Sequence, residues 1–174
     1  MTDYSRIKAI ALDVDGVATD GSLVVYDSHE AVRIFNAKDS FGMRVAAMKG
    51  YRLAVFTGGE TEGVRFRMQV CGVDPSDVHM GCRGKLREFN SFCEKYGISP
   101  KEVLYLGDDI PDIPVLQAAG IGVAPADAAP EAREAADVVA PVAGGKGCVR
   151  WAVEQVMRSQ GTWQFEPDCY ELIF

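Results

Sequence analysis

Ile7-Lys8-Ala9-Ile10-Ala11-Leu12-Asp13-Val14-Asp15-Gly16 is the stretch that decides how the rest of the chain is read. Ile7–Leu12 is short and nearly all apolar, the pattern of a strand buried on both faces, and it stops at an aspartate. In extended chain, residues i and i+2 point to the same side. Asp13 and Asp15 are therefore expected to face one side together, just past the strand's carboxyl end.

Working outward, runs of the same kind recur. Leu53–Phe56 is stopped by Thr57-Gly58-Gly59 and Val103–Leu106 by Gly107-Asp108-Asp109, with Ile121–Ala124 and Val138–Ala140 further on. Between them lie stretches of helical period at about 41–49, 60–70, 85–96, 111–119, 130–135 and 147–159. This alternation predicts an α/β fold, a three-layer Rossmann-like domain with a central parallel sheet and right-handed crossovers. Gly97 and Gly120 stand where helix C-terminal caps belong. One segment breaks the rhythm: Leu23–Tyr26 and Ala31–Phe35 flank Asp27-Ser28-His29-Glu30, which reads as a β-hairpin over about 21–35. A single domain is expected over 1–160, followed by a short aromatic tail over 161–174 (Trp163, Phe165, Tyr170, Phe174).

Charge narrows the partners. With 25 Asp+Glu against 18 Lys+Arg the formal net charge is −7, so nucleic acid and an anionic membrane surface are excluded as main partners. Any small anionic substrate needs a local cation. The 5 cysteines are odd in number and none pairs at zinc or redox spacing, and the 2 histidines cannot build a histidine-rich metal site. No apolar run approaches the ~20 residues of a membrane span, and the start carries no apolar signal region, so a reducing cytoplasm is the expected setting.

In a doubly wound sheet, ligands bind beyond the carboxyl ends of the strands. The first run delivers Asp13 and Asp15 there, the second Thr57 with two glycines behind it, and the third Asp108, Asp109 and, after a turn, Asp112. Carboxylates crowded at one edge are costly unless a cation neutralises them, and a hard, oxygen-ligated ion such as Mg²⁺ does so. A carboxylate nucleophile beside Mg²⁺ can attack phosphorus and form an aspartyl-phosphate. The carboxylate two residues on can then serve as general acid and base. Thr57 offers a hydroxyl, Gly58 and Gly59 offer open backbone N–H groups, and Lys85 is the best-placed lysine for the transferred phosphoryl charge.

These residues, in this order, resemble the four motifs of the haloacid dehalogenase (HAD) phosphatase superfamily: Asp13-Val14-Asp15-Gly16-Val17, Thr57, Lys85, and Gly107-Asp108-Asp109 with Asp112. The resemblance implies that Asp13 is the nucleophile and a Mg²⁺ ligand. It implies that Asp15 is the acid/base and lends its backbone carbonyl to the metal, and that Asp108 is the third ligand, supported by Asp109 and Asp112. The 28 residues from Thr57 to Lys85 leave no room for an inserted cap domain, so the protruding hairpin stands in its place.

Within the superfamily the chain resembles the capless 3-deoxy-manno-octulosonate 8-phosphate (KDO-8-phosphate) phosphatases of lipopolysaccharide biosynthesis. Phe35-Asn36-Ala37-Lys38-Asp39-Ser40-Phe41-Gly42 is similar to their substrate-contacting signature, and Arg44 and Arg67 match positions that bind the sugar acid. The resemblance implies a homotetramer in which a neighbouring subunit or the C-terminal tail covers each site. The substrate-binding set it implies is Asn36, Lys38, Asp39, Ser40, Arg44, Gly58, Gly59 and Arg67. Departures occur at Gly59, where many relatives have arginine, at Ser40 in place of glycine, and at Trp151 in place of glutamate. They leave the phosphoryl machinery intact and bear on the sugar contacts.

Other readings are open to test. A sibling group acts on KDN-9-phosphate and carries glutamate after the Thr-Gly, where this chain has Gly59. A receiver-type signalling module also uses Asp, Thr, Lys and Mg²⁺, but its phospho-acceptor aspartate ends a central strand ahead of Thr and Lys. Here the order is Asp-x-Asp, Thr, Lys, Asp-Asp. A dinucleotide site at Gly58–Gly63 lacks the required glycine spacing.

Overall fold

The computed structural model describes residues 2–27 and 31–165. The chain forms β1 (Ala9–Leu12), a hairpin of β2 (Val24–Val25) and β3 (Ala31–Val32), α1 (Ala37–Met48), β4 (Arg52–Phe56), α2 (Glu62–Val70), β5 (Val78–His79) and α3 (Lys85–Tyr96). It continues through β6 (Val103–Leu106), α4 (Ile113–Ala118), β7 (Ile121–Ala124), α5 (Pro130–Ala135), β8 (Val138–Val139) and α6 (Cys148–Ser159). Six strands pair in parallel in the order β5-β4-β1-β6-β7-β8. The chain thus builds outward from β1 on one side, then returns to β1 and builds outward on the other. This reversal opens a crevice at the carboxyl ends of β1 and β6.

Alternation along the strands sorts the core into two layers. Ile10 and Leu12 of β1 face the layer filled by Met43, Val45 and Ala46 of α1 and by Val153 and Met157 of α6. Ala9 and Ala11 face the other way, with Ala54, and their small size makes room for Phe56, Phe89, Phe92 and Tyr105 beneath α3 and α4. The α/β, three-layer architecture is the one the apolar runs predict, and β6, α3, β7 and α5 match those expectations residue for residue.

Several details differ. α1 begins at Ala37 rather than near Phe41, because the Asn36 side chain accepts from Lys38 N at 2.8 Å and caps the helix. β5 is a two-residue edge strand that no apolar run announces. Gly97 does close α3 in the left-handed conformation, but α4 is capped by Ala119. Gly120 instead lets the Lys101 carbonyl approach, at 2.2 Å from where a Cβ would stand.

The hairpin lies outside the main sheet and pairs Val24 with Val32 and Val25 with Ala31. Its strands are shorter than the sequence suggests, and 28–30 of its turn, including His29, lie outside the described residues. Of the tail, Trp163 and Phe165 pack on this chain's own core, with their rings 5.0 Å apart and the Arg150 guanidinium 4.5 Å over Trp163. Tyr170 and Phe174 lie outside the described residues.

Candidate active site

The register aligns Leu12 of β1 with Val55 of β4 and Leu106 of β6, so the residues following these strands emerge at one edge. Asp13, Thr57 and Asp108 all line a single cavity of about 700 Å³ there, with Asp15, Gly58, Gly59, Lys85, Asp109 and Asp112. This volume falls within the usual range of small-molecule sites.

At its floor Lys85, the first residue of α3, places Nζ 2.9 Å from Asp13 Oδ2 and 2.7 Å from Asp112 Oδ1. Tyr105 O–H also donates to Asp112 Oδ1, and Asp112 Oδ2 accepts from the backbone N–H of Asp108 at 3.1 Å. Asp13 Oδ1 accepts from Val14 N. Thr57 Oγ1 accepts from Gly59 N at 3.1 Å, so one of the two glycine N–H groups expected to be open is already engaged.

Carboxylate oxygens of Asp13, Asp108 and Asp112 all lie within 4.8 Å of one another. Burial pushes the Asp13 carboxyl up to about 6, with Lys85 pulling against it and Asp112 adding to it. Asp108 is pushed up to about 7, first by burial and then by Asp13 and Asp112. Burial alone would lower Lys85, but the two facing carboxylates overcome it and hold the ammonium above the ordinary lysine range. Negative charge in this cluster exceeds what one lysine balances. The donor set of hard oxygens suits an oxygen-seeking divalent cation.

Asp13 and Asp15 both reach the cavity, but not by strand alternation. The chain leaves extended geometry in a tight turn over Val14–Ala18, and Asp15 points to Arg33 instead of joining the carboxylate cluster. Gly16 in that turn has φ +83°, and a Cβ there would stand 2.0 Å from Asp108 Oδ2. Only glycine brings the turn this close to the carboxylate that follows β6. Asp112 moves from a supporting position into the cluster itself. Asp109 sits exposed, with Oδ1 accepting from Ile110 N to cap the turn after β6.

The sugar-contact set divides. Gly58 and Gly59 line the cavity, whereas Asn36, Lys38, Asp39, Ser40, Arg44 and Arg67 do not. Asn36 caps α1 and donates to the Gly145 carbonyl. Lys38 is exposed, and Asp39 is buried, accepting from Arg150 N at the start of α6. Ser40 Oγ accepts from Arg67 Nη2, which turns that arginine onto α1, and Arg44 lies half-buried on the same helix beside Gly72. In the single chain Asn36, Asp39, Ser40 and Arg67 tie α1 to α2, α6 and the loop before α6.

Arg33, Cys82 and Arg83 are among the lining residues that escape the sequence reading. Arg33 is signalled only as a charge in the otherwise apolar Ala31–Phe35 run. Arg83, two residues before Lys85, is exposed and makes no hydrogen bond or ion pair among the described residues.

Similarity to known proteins agrees with this geometry. A family model described as haloacid dehalogenase-like hydrolase matches residues 83–150. The 3-deoxy-D-manno-octulosonate 8-phosphate phosphatase KdsC of Salmonella typhi is 36% identical over 161 residues, covering 92% of this chain and 85% of that protein. Among solved structures, the phosphatase of the same name from Moraxella catarrhalis, in complex with magnesium ion, phosphate ion and KDO, superposes with a TM-score of 0.88 at 28% identity. That match covers 92% of this chain and 91% of that one. The cobalt-bound Haemophilus influenzae enzyme gives 0.87 at 30% identity, over 91% and 92% of the two chains. The chain therefore belongs to the 3-deoxy-D-manno-octulosonate 8-phosphate phosphatase family of haloacid dehalogenase-like hydrolases, and it is a phosphatase.

Proposed function

We propose that the protein hydrolyses KDO-8-phosphate to KDO and inorganic phosphate with the help of Mg²⁺. The observation that carries this reading is the meeting of Asp13, Asp108 and Asp112 around Lys85 in a cavity at the switch point of the sheet. Asp13, Asp108 and the backbone carbonyl of Asp15 would hold the metal, with Asp112 and Asp109 steadying the loop after β6. When bound, the ion would supply positive charge that offsets the clustered carboxylates and the charge of the phosphoryl group.

The Asp13 carboxylate attacks phosphorus and the phosphorus–oxygen ester bond breaks. Asp15 gives its proton to the departing sugar oxygen. Asp15 then takes a proton from water as the water oxygen attacks phosphorus, which releases phosphate and restores Asp13. Lys85 and Thr57 hold the phosphoryl oxygens through both displacements. Arg83 is the lining cation left for a second anionic group, the carboxylate of the sugar acid.

Leu23, Val24, Val25, Tyr26, Val32 and Ile34 expose apolar side chains on and beside the hairpin. We read this arm as the assembly surface of a homotetramer whose neighbours roof the open site. Sedimentation of the wild type beside Val25→Lys tests it. A tetramer that the charge breaks is expected, and a monomeric wild type would refute the assembly. The four described cysteines are all free thiols, which suits a reducing cytoplasm.

A phosphate-release screen decides the substrate, with KDO-8-phosphate, KDN-9-phosphate and neutral sugar phosphates compared by kcat/KM. KDO-8-phosphate is expected to lead, and Arg83→Ala should raise KM for the sugar acids but not for the neutral sugars. A rate for KDO-8-phosphate no better than for neutral sugar phosphates would sink the assignment.

A further inference from the structure

Arg33 leaves the hairpin arm one residue beyond β3 and reaches back into the cavity. Its Nε lies 2.6 Å from Asp15 Oδ1 and its Nη2 2.9 Å from Asp15 Oδ2, a parallel two-pronged fork. The fork is itself fixed, because Nη1 donates to the Ala31 carbonyl at 3.2 Å and to Thr61 Oγ1 at 3.1 Å, just before α2. The Arg33 side chain is 6% exposed against 32% for Asp15. Among the described residues, no other group hydrogen-bonds the Asp15 carboxylate. Gly59 completes the seat: a Cβ there would stand 2.8 Å from Arg33 Nη2, so the guanidinium packs against a bare Cα.

We propose that Arg33 is the positioning residue of the acid/base. The fork occupies one lone pair on each Asp15 oxygen, which fixes the plane and direction of the carboxyl group, keeps it clear of the Lys85–Asp112 cluster, and leaves the outward lone pairs to carry the proton to the oxygen that leaves phosphorus. This rests on the reading of Asp15 as acid/base given above. General acid catalysis requires the acid within hydrogen-bond reach of its target, so a carboxylate free to rotate loses most of that benefit. Gly59 acts in the same device by leaving the guanidinium its place.

The test exploits the leaving group. Esterified sugar oxygens need a proton to depart, whereas p-nitrophenolate leaves without one. The value of kcat/KM reports on the step that expels it. Arg33→Ala should therefore lower kcat/KM on KDO-8-phosphate (or the sugar phosphate that the wild type turns over best) by roughly 100-fold. On p-nitrophenyl phosphate the loss should stay below about 5-fold, since no proton is needed there. Arg33→Lys keeps the charge but not the fork, and should show the same bias at smaller size.

A merely structural role for Arg33 would depress both esters equally, and a lost contact to the sugar acid's carboxylate would spare neutral sugar phosphates, which need the same proton but carry no carboxylate; either result overturns the proposal. If Arg33→Ala fails to fold by circular dichroism, Arg33→Lys decides the matter. Wild-type turnover separates the two readings. Activity confined to a different sugar phosphate corrects the substrate and leaves the ratio test standing. A wild type inert on every phosphate ester removes the acid/base, and Arg33 with it.

Discussion

Asp112 makes no bond to substrate in the proposed reaction, yet it is the most tightly held carboxylate of the site. It is fully buried, receives Lys85 and Tyr105 on one oxygen and accepts the Asp108 N–H on the other. It thus fixes both the lysine that faces the phosphoryl group and the backbone that presents Asp108. Asp13, by contrast, faces the cavity and is the nucleophile of the proposed reaction. Asp13→Asn should abolish turnover, by more than roughly a thousandfold, because groups that act as one unit fail together. Melting temperature and assembly should be kept. Steady hydrolysis near the wild-type rate would remove Asp13 as nucleophile. Asp13 and Asp108 were legible in the sequence at the ends of apolar runs, and Asp112 after the turn that follows the second of them. Their division of labour was not, because it depends on which of them Lys85 reaches from 27 residues away.

At the scale of elements, α1 shows how a residue can match a binding signature and serve structure. Asn36 caps the helix with its Oδ1 and ties it to the Gly144-Gly145 loop with its Nδ2. Asn36→Ala should cost about 0.5–2 kcal/mol, the usual loss for a cap, read by chemical unfolding. Turnover at saturating substrate should change little, and a large fall in kcat at unchanged stability would return Asn36 to the site. Strands and long helices were legible because their apolar periods are local. β5 was not, since two residues at a sheet edge carry no period, and neither was the early start of α1, which a single side-chain cap determines. The hairpin's presence was visible in its sequence. Its role in seating Arg33 required the packed structure.

For the whole molecule, the excess of acidic groups has a local consequence. Asp13 and Asp108 are raised to about 6 and about 7 in the metal-free protein, so the folded state holds protons that the unfolded chain has given up. Stability of the metal-free protein should accordingly fall as pH rises from about 4 to 7, through the window between unfolded and folded values. Mg²⁺ must displace those protons, so its binding should strengthen over the same rise. Thermal shift by Mg²⁺ is expected to be small at pH 5 and larger at pH 8, measured as the change in Tm at fixed ion concentration. A shift independent of pH would place the ion elsewhere.

The parallel sheet and the polar groups past its strand ends follow from residue order, because burial writes itself as short apolar runs whose endings are read locally. Composition also dictates that an acidic chain acting on an anion must gather a cation. Packing alone sets that Asp15 turns to Arg33, that Asp112 joins Asp13 and Asp108, and that Arg67 ties α2 to α1 outside the cavity. Those outcomes follow from side-chain directions in a turn and from the packing of elements far apart in the chain. Residue spacing alone does not encode either.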